Sequence, residues 1–202
     1  MSNIYREHIE WCDIWISAAA AGTPQPRALL IGDSICRGYY PAVERCLAGS
    51  FASARLATSR FVRDPVHQRE VAMVLEQYRF QVIHFNNGLH GWDYSEADYL
   101  EGLHLLVEFL RRQAPAARLV WAHSTPIYRT DDLQGFDPRH ERVIERNRLA
   151  AGVMASHGIA VNDLFALALG QMAWFDRDGV HYNAEGYGQL ATQVAASITD
   201  GA

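Results

Sequence analysis

Cysteine is scarce. Cys12, Cys36 and Cys46 make an odd count with no CxxC spacing, which excludes a disulfide scaffold and a zinc ribbon. Basic charge is not in excess either. Eighteen Lys and Arg against 23 Asp and Glu give a formal net charge of −5, the wrong balance for a nucleic-acid backbone binder or a polybasic membrane-surface protein. No apolar run approaches the ~18 residues that a membrane span needs. Residues 18–21 are four alanines that resemble a signal-peptidase site, but Glu7, Glu10 and Asp13 interrupt what would have to be the apolar segment before it. The expectation is a cytoplasmic protein. Nine histidines invite a metal, yet HExxH is missing and His181 and Glu185 straddle a loop-to-helix boundary, so no metal is expected. Gly32 to Gly38 lacks P-loop spacing and no Lys follows. A dinucleotide fingerprint is missing too, and no cofactor is expected.

What is present is a chain of 202 residues, 49% apolar, enough for one domain over 1–202 with a full core. No repeat or linker divides it. Short apolar runs rich in β-formers alternate with helical patterns: 28–31, 51–56, 80–85, 119–122 and 159–161 read as strands. Ser95-x-x-Asp98 precedes Leu100, Leu103, Val107 and Leu110 at helical spacing, and Asn183 opens a last helix through Leu190, Val194 and Ile198. This alternation predicts an α/β fold with a mostly parallel five-stranded sheet covered on both faces. Residues 1–22, with Ile4, Trp11, Ile14 and Trp15 on one side, read as a helical extension packed on that core.

In open α/β sheets function sits at the carboxyl ends of the strands. Gly32-Asp33-Ser34 follows the first run, 57–59 the second, Asn86 to His90 the third and Ser124 to Pro126 the fourth. A serine is a weak nucleophile until a base takes its proton. His181 can be that base, and Asp178, three residues earlier, can hold its Nδ1–H and stabilise the imidazolium. Gly-Asp-Ser alone arises by chance in roughly one such chain in twenty, and alone it reads as a helix cap. Paired with Asp178 and His181 at strand ends of one sheet, Ser34 reads as a nucleophile.

These blocks resemble those of the SGNH (GDSL-type) hydrolases. Residues 30–35, Leu-Ile-Gly-Asp-Ser-Ile, match the family's first block, and Asp178-Gly179-Val180-His181 before the final helix matches its last. The resemblance spans about residues 27–198. It implies a flavodoxin-like three-layer α/β/α sandwich and metal-free ester or acetyl-ester hydrolysis by Ser34, His181 and Asp178. It also implies an oxyanion hole, carried over as the N–H of Ser34, the N–H of Ser59 and the side chain of Asn86, with Asn87 as the alternative. The middle blocks depart from the family pattern. No glycine follows the second strand, and Asn86-Asn87-Gly88-Leu89-His90 stands where Gly-x-Asn-Asp is usual. Asp33, His90 and Trp92 are the candidate substrate-binding residues.

The sequence is thus read as a serine esterase acting on a small acyl or acetyl ester, with an acetylated sugar among the candidates, and with neither nucleic acid nor membrane as partner. The rival is a non-catalytic flavodoxin-like domain that binds a small anionic ligand or nucleotide at the strand ends. His84, inside an apolar run, reads as a core histidine and Cys36 as a buried thiol. The Arg139–Arg148 stretch, interleaved with Glu141 and Glu145, reads as a solvated helix face.

Overall fold

The computed structural model describes residues 4–20, 22 and 24–200. Its sheet has six strands: β1 (Cys12–Ile16), β2 (Arg27–Gly32), β3 (Ala52–Thr58), β4 (Val82–Phe85), β5 (Arg118–Ala122) and β6 (Ala160–Asn162). Their order across the sheet is β1-β3-β2-β4-β5-β6. Strands β2 to β6 are parallel, and β1 pairs antiparallel with β3. The helices are α1 (Ser34–Cys46), α2 (Pro65–Gln77), α3 (Glu96–Gln113), α4 (His140–Ser156), α5 (Leu164–Ala168) and α6 (Ala184–Thr199). Among the described residues no helix is long and apolar enough to cross a membrane.

Side chains alternate along a strand, so β2 feeds two cores. Ala28 and Leu30 pack with Val43 of α1, Leu164 of α5 and Leu190 and Val194 of α6. Leu29 and Ile31 pack with Val71 of α2, Leu103 and Val107 of α3 and Val153 of α4. Helices cover both faces, and the architecture is the three-layer α/β/α sandwich expected.

The N-terminal extension is not helical. Residues 12–16 form β1, which makes the sheet six-stranded rather than five-stranded; residues 1–3 and 21 of that extension lie outside the described residues. Trp11, Ile14 and Trp15 imitate a helical stripe, but Ile14 and Ile16 alternate at period two and pack toward the α2–α3 core while Trp15 stays exposed. A β-branched pair on a half-buried edge favours the strand. The ladder from Cys12↔Thr58 to Ile16↔Ala54 extends one residue further. Ser59 donates its N–H to the Trp11 carbonyl at 3.1 Å, and Trp11 donates its own to Ser59 Oγ at 2.9 Å.

Candidate active site

Strand β2 leads through α1 to β3 on one side, and the chain then crosses back to β4 on the other. The carboxyl end of β2 is therefore a topological switch point, where a crevice opens above the sheet. Ser34 stands there as the first residue of α1. Asp33 is extended (φ −115°) and caps the helix, its Oδ1 accepting the Ile35 N–H at 2.9 Å. Gly32 lets the helix start at once, because a Cβ there would lie 2.6 Å from Cys36 Cβ. The hydroxyl of Ser34 is left at the mouth of the helix, partly exposed.

The loop before α6 brings the other two residues. Asp178 Oδ1 accepts the backbone N–H groups of Val180 (2.9 Å) and His181 (2.8 Å), folding the four residues into one turn. Its second oxygen, Oδ2, lies 2.6 Å from His181 Nδ1, and His181 Nε2 lies 2.8 Å from Ser34 Oγ. Partial burial pushes the Asp178 carboxyl up, but hydrogen bonds from the His181 ring and from both N–H groups outweigh it and hold the group below its ordinary range. A carboxylate on Nδ1 fixes the tautomer that leaves Nε2 free to accept a proton from the hydroxyl.

Gly179 makes this turn possible. Its φ is +72°, and a Cβ would meet the Tyr128 carbonyl oxygen at 2.2 Å, while its own carbonyl accepts the Tyr128 N–H at 2.8 Å. Gly179→Ala is expected to cost about 2 kcal/mol or more from left-handed strain and the clash. Thermal unfolding should show it as a fall of about 4–8 °C. An unchanged melting temperature would contradict this account of the turn.

The other expected residues divide. The N–H of Ser59 is spent on Trp11, so Ser59 is not an oxyanion donor as the structure stands; strand β1 took that group. Asn86 lies at the crevice floor and donates to the Ala122 carbonyl (2.7 Å) and to Ser124 Oγ (3.1 Å). With Asp33, Ile35 and Leu89 it lines a cavity of about 10 Å³, room for about one water. Asn87 turns the other way, accepting the Val62 N–H at 3.1 Å and donating to the Arg60 carbonyl at 2.8 Å. It ties down the loop after β3. Asp33 is buried and caps α1 through Oδ1, while its Oδ2 has no hydrogen-bond partner among the described residues. The Trp92 ring is covered by the guanidinium groups of Arg146 (4.7 Å), Arg139 (5.2 Å) and Arg142 (5.6 Å). His90 is held by Glu7, its Nδ1 at 2.9 Å from Oε2.

Cys36 is buried, and burial pushes its thiol up to about 12, which leaves it inert beside Ser34. His84 is wholly buried with Nε2 against Asn162 at 3.0 Å, and burial pushes its ring down to about 3. Arg146 departs from the expected solvated face. It is fully buried and donates to the carbonyls of Gly88 (2.9 Å), His90 (2.8 Å) and Gly91 (3.0 Å). Its place on an otherwise charged helix conceals it in the sequence, as the 83-residue separation conceals Glu7 and His90. Among the described residues no group of three or more His, Cys, Asp or Glu is arranged to hold a metal ion. A larger cavity of about 480 Å³ lies at the opposite ends of the strands, lined by Leu75, Tyr78, Phe80 and Pro115, far from any of these groups in the topology.

No family model and no curated protein sequence matches the chain. Solved structures do. A putative platelet activating factor structure from Streptococcus pneumoniae aligns with a TM-score of 0.73 at 18% identity, over 89% of this chain and 87% of that one. A GDSL-like lipase from Bacteroides thetaiotaomicron aligns at 0.67 and 12% identity, over 87% and 89%. A carbohydrate acetylesterase from Sinorhizobium meliloti aligns at 0.67 and 13% identity, over 87% and 99%. The chain has the SGNH (GDSL-type) hydrolase fold.

Proposed function

We propose that the protein is a serine esterase that hydrolyses a small acyl or acetyl ester in the cytoplasm, with an acetylated sugar as the leading candidate substrate. One observation carries the reading: the unbroken hydrogen-bonded path from Asp178 through His181 to Ser34, 2.6 Å and then 2.8 Å long. Ser34 Oγ attacks the ester carbonyl as His181 Nε2 takes its proton, and Asp178 steadies the imidazolium. His181 then returns the proton to the departing alcohol oxygen. Water, deprotonated by the same histidine, attacks the acyl-serine, and His181 returns that proton to Ser34 Oγ as the acid leaves. The choice of an acetyl ester rests on the likeness to a carbohydrate acetylesterase. A serine-directed phosphonate tests the reading. The adduct is expected on Ser34; a protein that hydrolyses no ester and stays unlabelled is the anion-binding domain instead.

The negative charge of the tetrahedral intermediate falls to the N–H of Ser34 and the amide of Asn86. The longer Asn86 bond, 3.1 Å to Ser124 Oγ, is the one that an oxyanion would share. Asn86→Ala is expected to lower kcat by about 10²–10³ with little change in KM. Asn87→Ala is expected to act through folding, because both ends of that amide hold backbone groups. If Asn86→Ala stays within about fivefold of the wild type while Asn87→Ala falls a hundredfold, the donor is Asn87.

A further inference from the structure

The strand ends carry two further carboxylate–imidazole pairs that the mechanism above does not use, Asp163 with His123 (Oδ1 to Nδ1, 3.1 Å) and Glu7 with His90, and the second bears on the donors. Glu7 holds His90 at Nδ1 as Asp178 holds His181, with Oε1 at 3.0 Å and Oε2 at 2.9 Å, and Oε1 also accepts the Gly91 N–H at 3.1 Å. Arg146 pins the same loop from beneath through three carbonyls. The ring is rigid, edge-on to Trp11 at 6.3 Å, and its Nε2 has no partner among the described residues. Leu89, the preceding residue, lines one cavity with Asp33 and Ile35, the two neighbours of Ser34. His90 therefore lies beside the nucleophile's turn.

Residues 7–11 do two things at once. Through the Trp11 carbonyl they consume the N–H of Ser59, and through Glu7 they orient an imidazole close enough to Asp33, the neighbour of Ser34, to feel its charge. We propose that His90 Nε2–H is the third donor to the substrate's carbonyl oxygen, in place of the Ser59 N–H. This inference rests on the esterase reading. His90 only donates a hydrogen bond and keeps its proton throughout the cycle.

The donor must be an imidazolium. With Nδ1–H given to Glu7, a neutral ring offers a lone pair at Nε2, which would repel an oxyanion. Glu7 from the N-terminal segment, Asp33 from the β2–α1 turn and Arg146 from α4 face the ring. Arg37 of α1 stands one residue further off, over Trp11 at 4.8 Å. Burial pushes His90 down and Arg146 adds to that. The Glu7 hydrogen bond and the charges of Asp33 and Glu7 outweigh both and raise it above an ordinary histidine. The His90 ring thus keeps its proton to higher pH than an ordinary imidazole, while His181 must lose one to act.

The experiment is the pH profile of kcat for the full chain and its Glu7 and His90 variants on one p-nitrophenyl ester. The wild type is expected to show a bell, its acid limb from His181 and its basic limb from His90. His90→Ala should lower kcat by about tenfold or more with KM within threefold. His90→Gln, which keeps a neutral N–H, should recover part of that loss and have no basic limb. Glu7→Gln should move the basic limb to lower pH, a shift that a purely structural role would not produce. Should His90→Ala fail to fold, the Gln variants carry the same test. An active wild type with no basic limb, or a folded His90→Ala with kcat within threefold, overturns the assignment to His90 alone. A wild type that hydrolyses no ester overturns the esterase reading and this inference with it.

Discussion

Ser34→Ala is expected to reduce ester turnover by about 10⁶-fold, leaving only what binding and the remaining oxyanion donors supply. Fold stability should hardly change. The cap of α1 is the Asp33 side chain, not Ser34, and the Ser34 hydroxyl has one partner, His181 Nε2. A shift of the melting temperature within about 2 °C is expected for losing one partly exposed hydroxyl. Purified variant that keeps more than a few per cent of activity would remove Ser34 from the role of nucleophile.

His181→Ala should cost as much as Ser34→Ala, and the double variant little more, because the two act as a unit. Asp178→Asn is expected to cost up to about 10⁴ in kcat, since an amide at Oδ2 can stabilise the wrong tautomer of His181. A base works only when neutral, so turnover of the wild type should fall toward the acid side. A profile that does not fall toward the acid side would contradict the assignment. Asp178 supplies a separate sign. Its folded carboxyl sits below its unfolded value, so its contribution to stability is complete at neutral pH and is lost as pH falls through that depressed value. Acid unfolding monitored beside Asp178→Asn should show the variant losing less stability below about pH 4.

Much of this protein could be read along the chain because its signals are local. Parallel strands favour apolar runs of β-formers, and five such runs, the one at 51–56 broken by Ser53 and Arg55, lie where β2 to β6 lie. A serine at a strand-to-helix turn and an Asp-x-x-His turn are also local motifs, and the order of strand and helix was enough to bring their ends to one crevice. The N-terminal segment was not legible, because an edge strand is specified by the neighbour it pairs with. The β preference of Ile14 and Ile16 is too weak to decide alone, and the strand forms because β3 offers an unpaired edge. That one decision propagated into the site. It spent the Ser59 N–H on Trp11 and brought Glu7 to His90 across 83 residues. Arg146 was hidden for a separate reason: it sits on an otherwise charged helix, and its charge is tolerated in the interior because three carbonyls of a distant loop converge on it. The juxtaposition of Ser34, His181 and Asp178 follows from residue types at local spacing; the polar groups that surround them follow from which backbone groups the assembled sheet leaves unpaired, and only tertiary structure decides that.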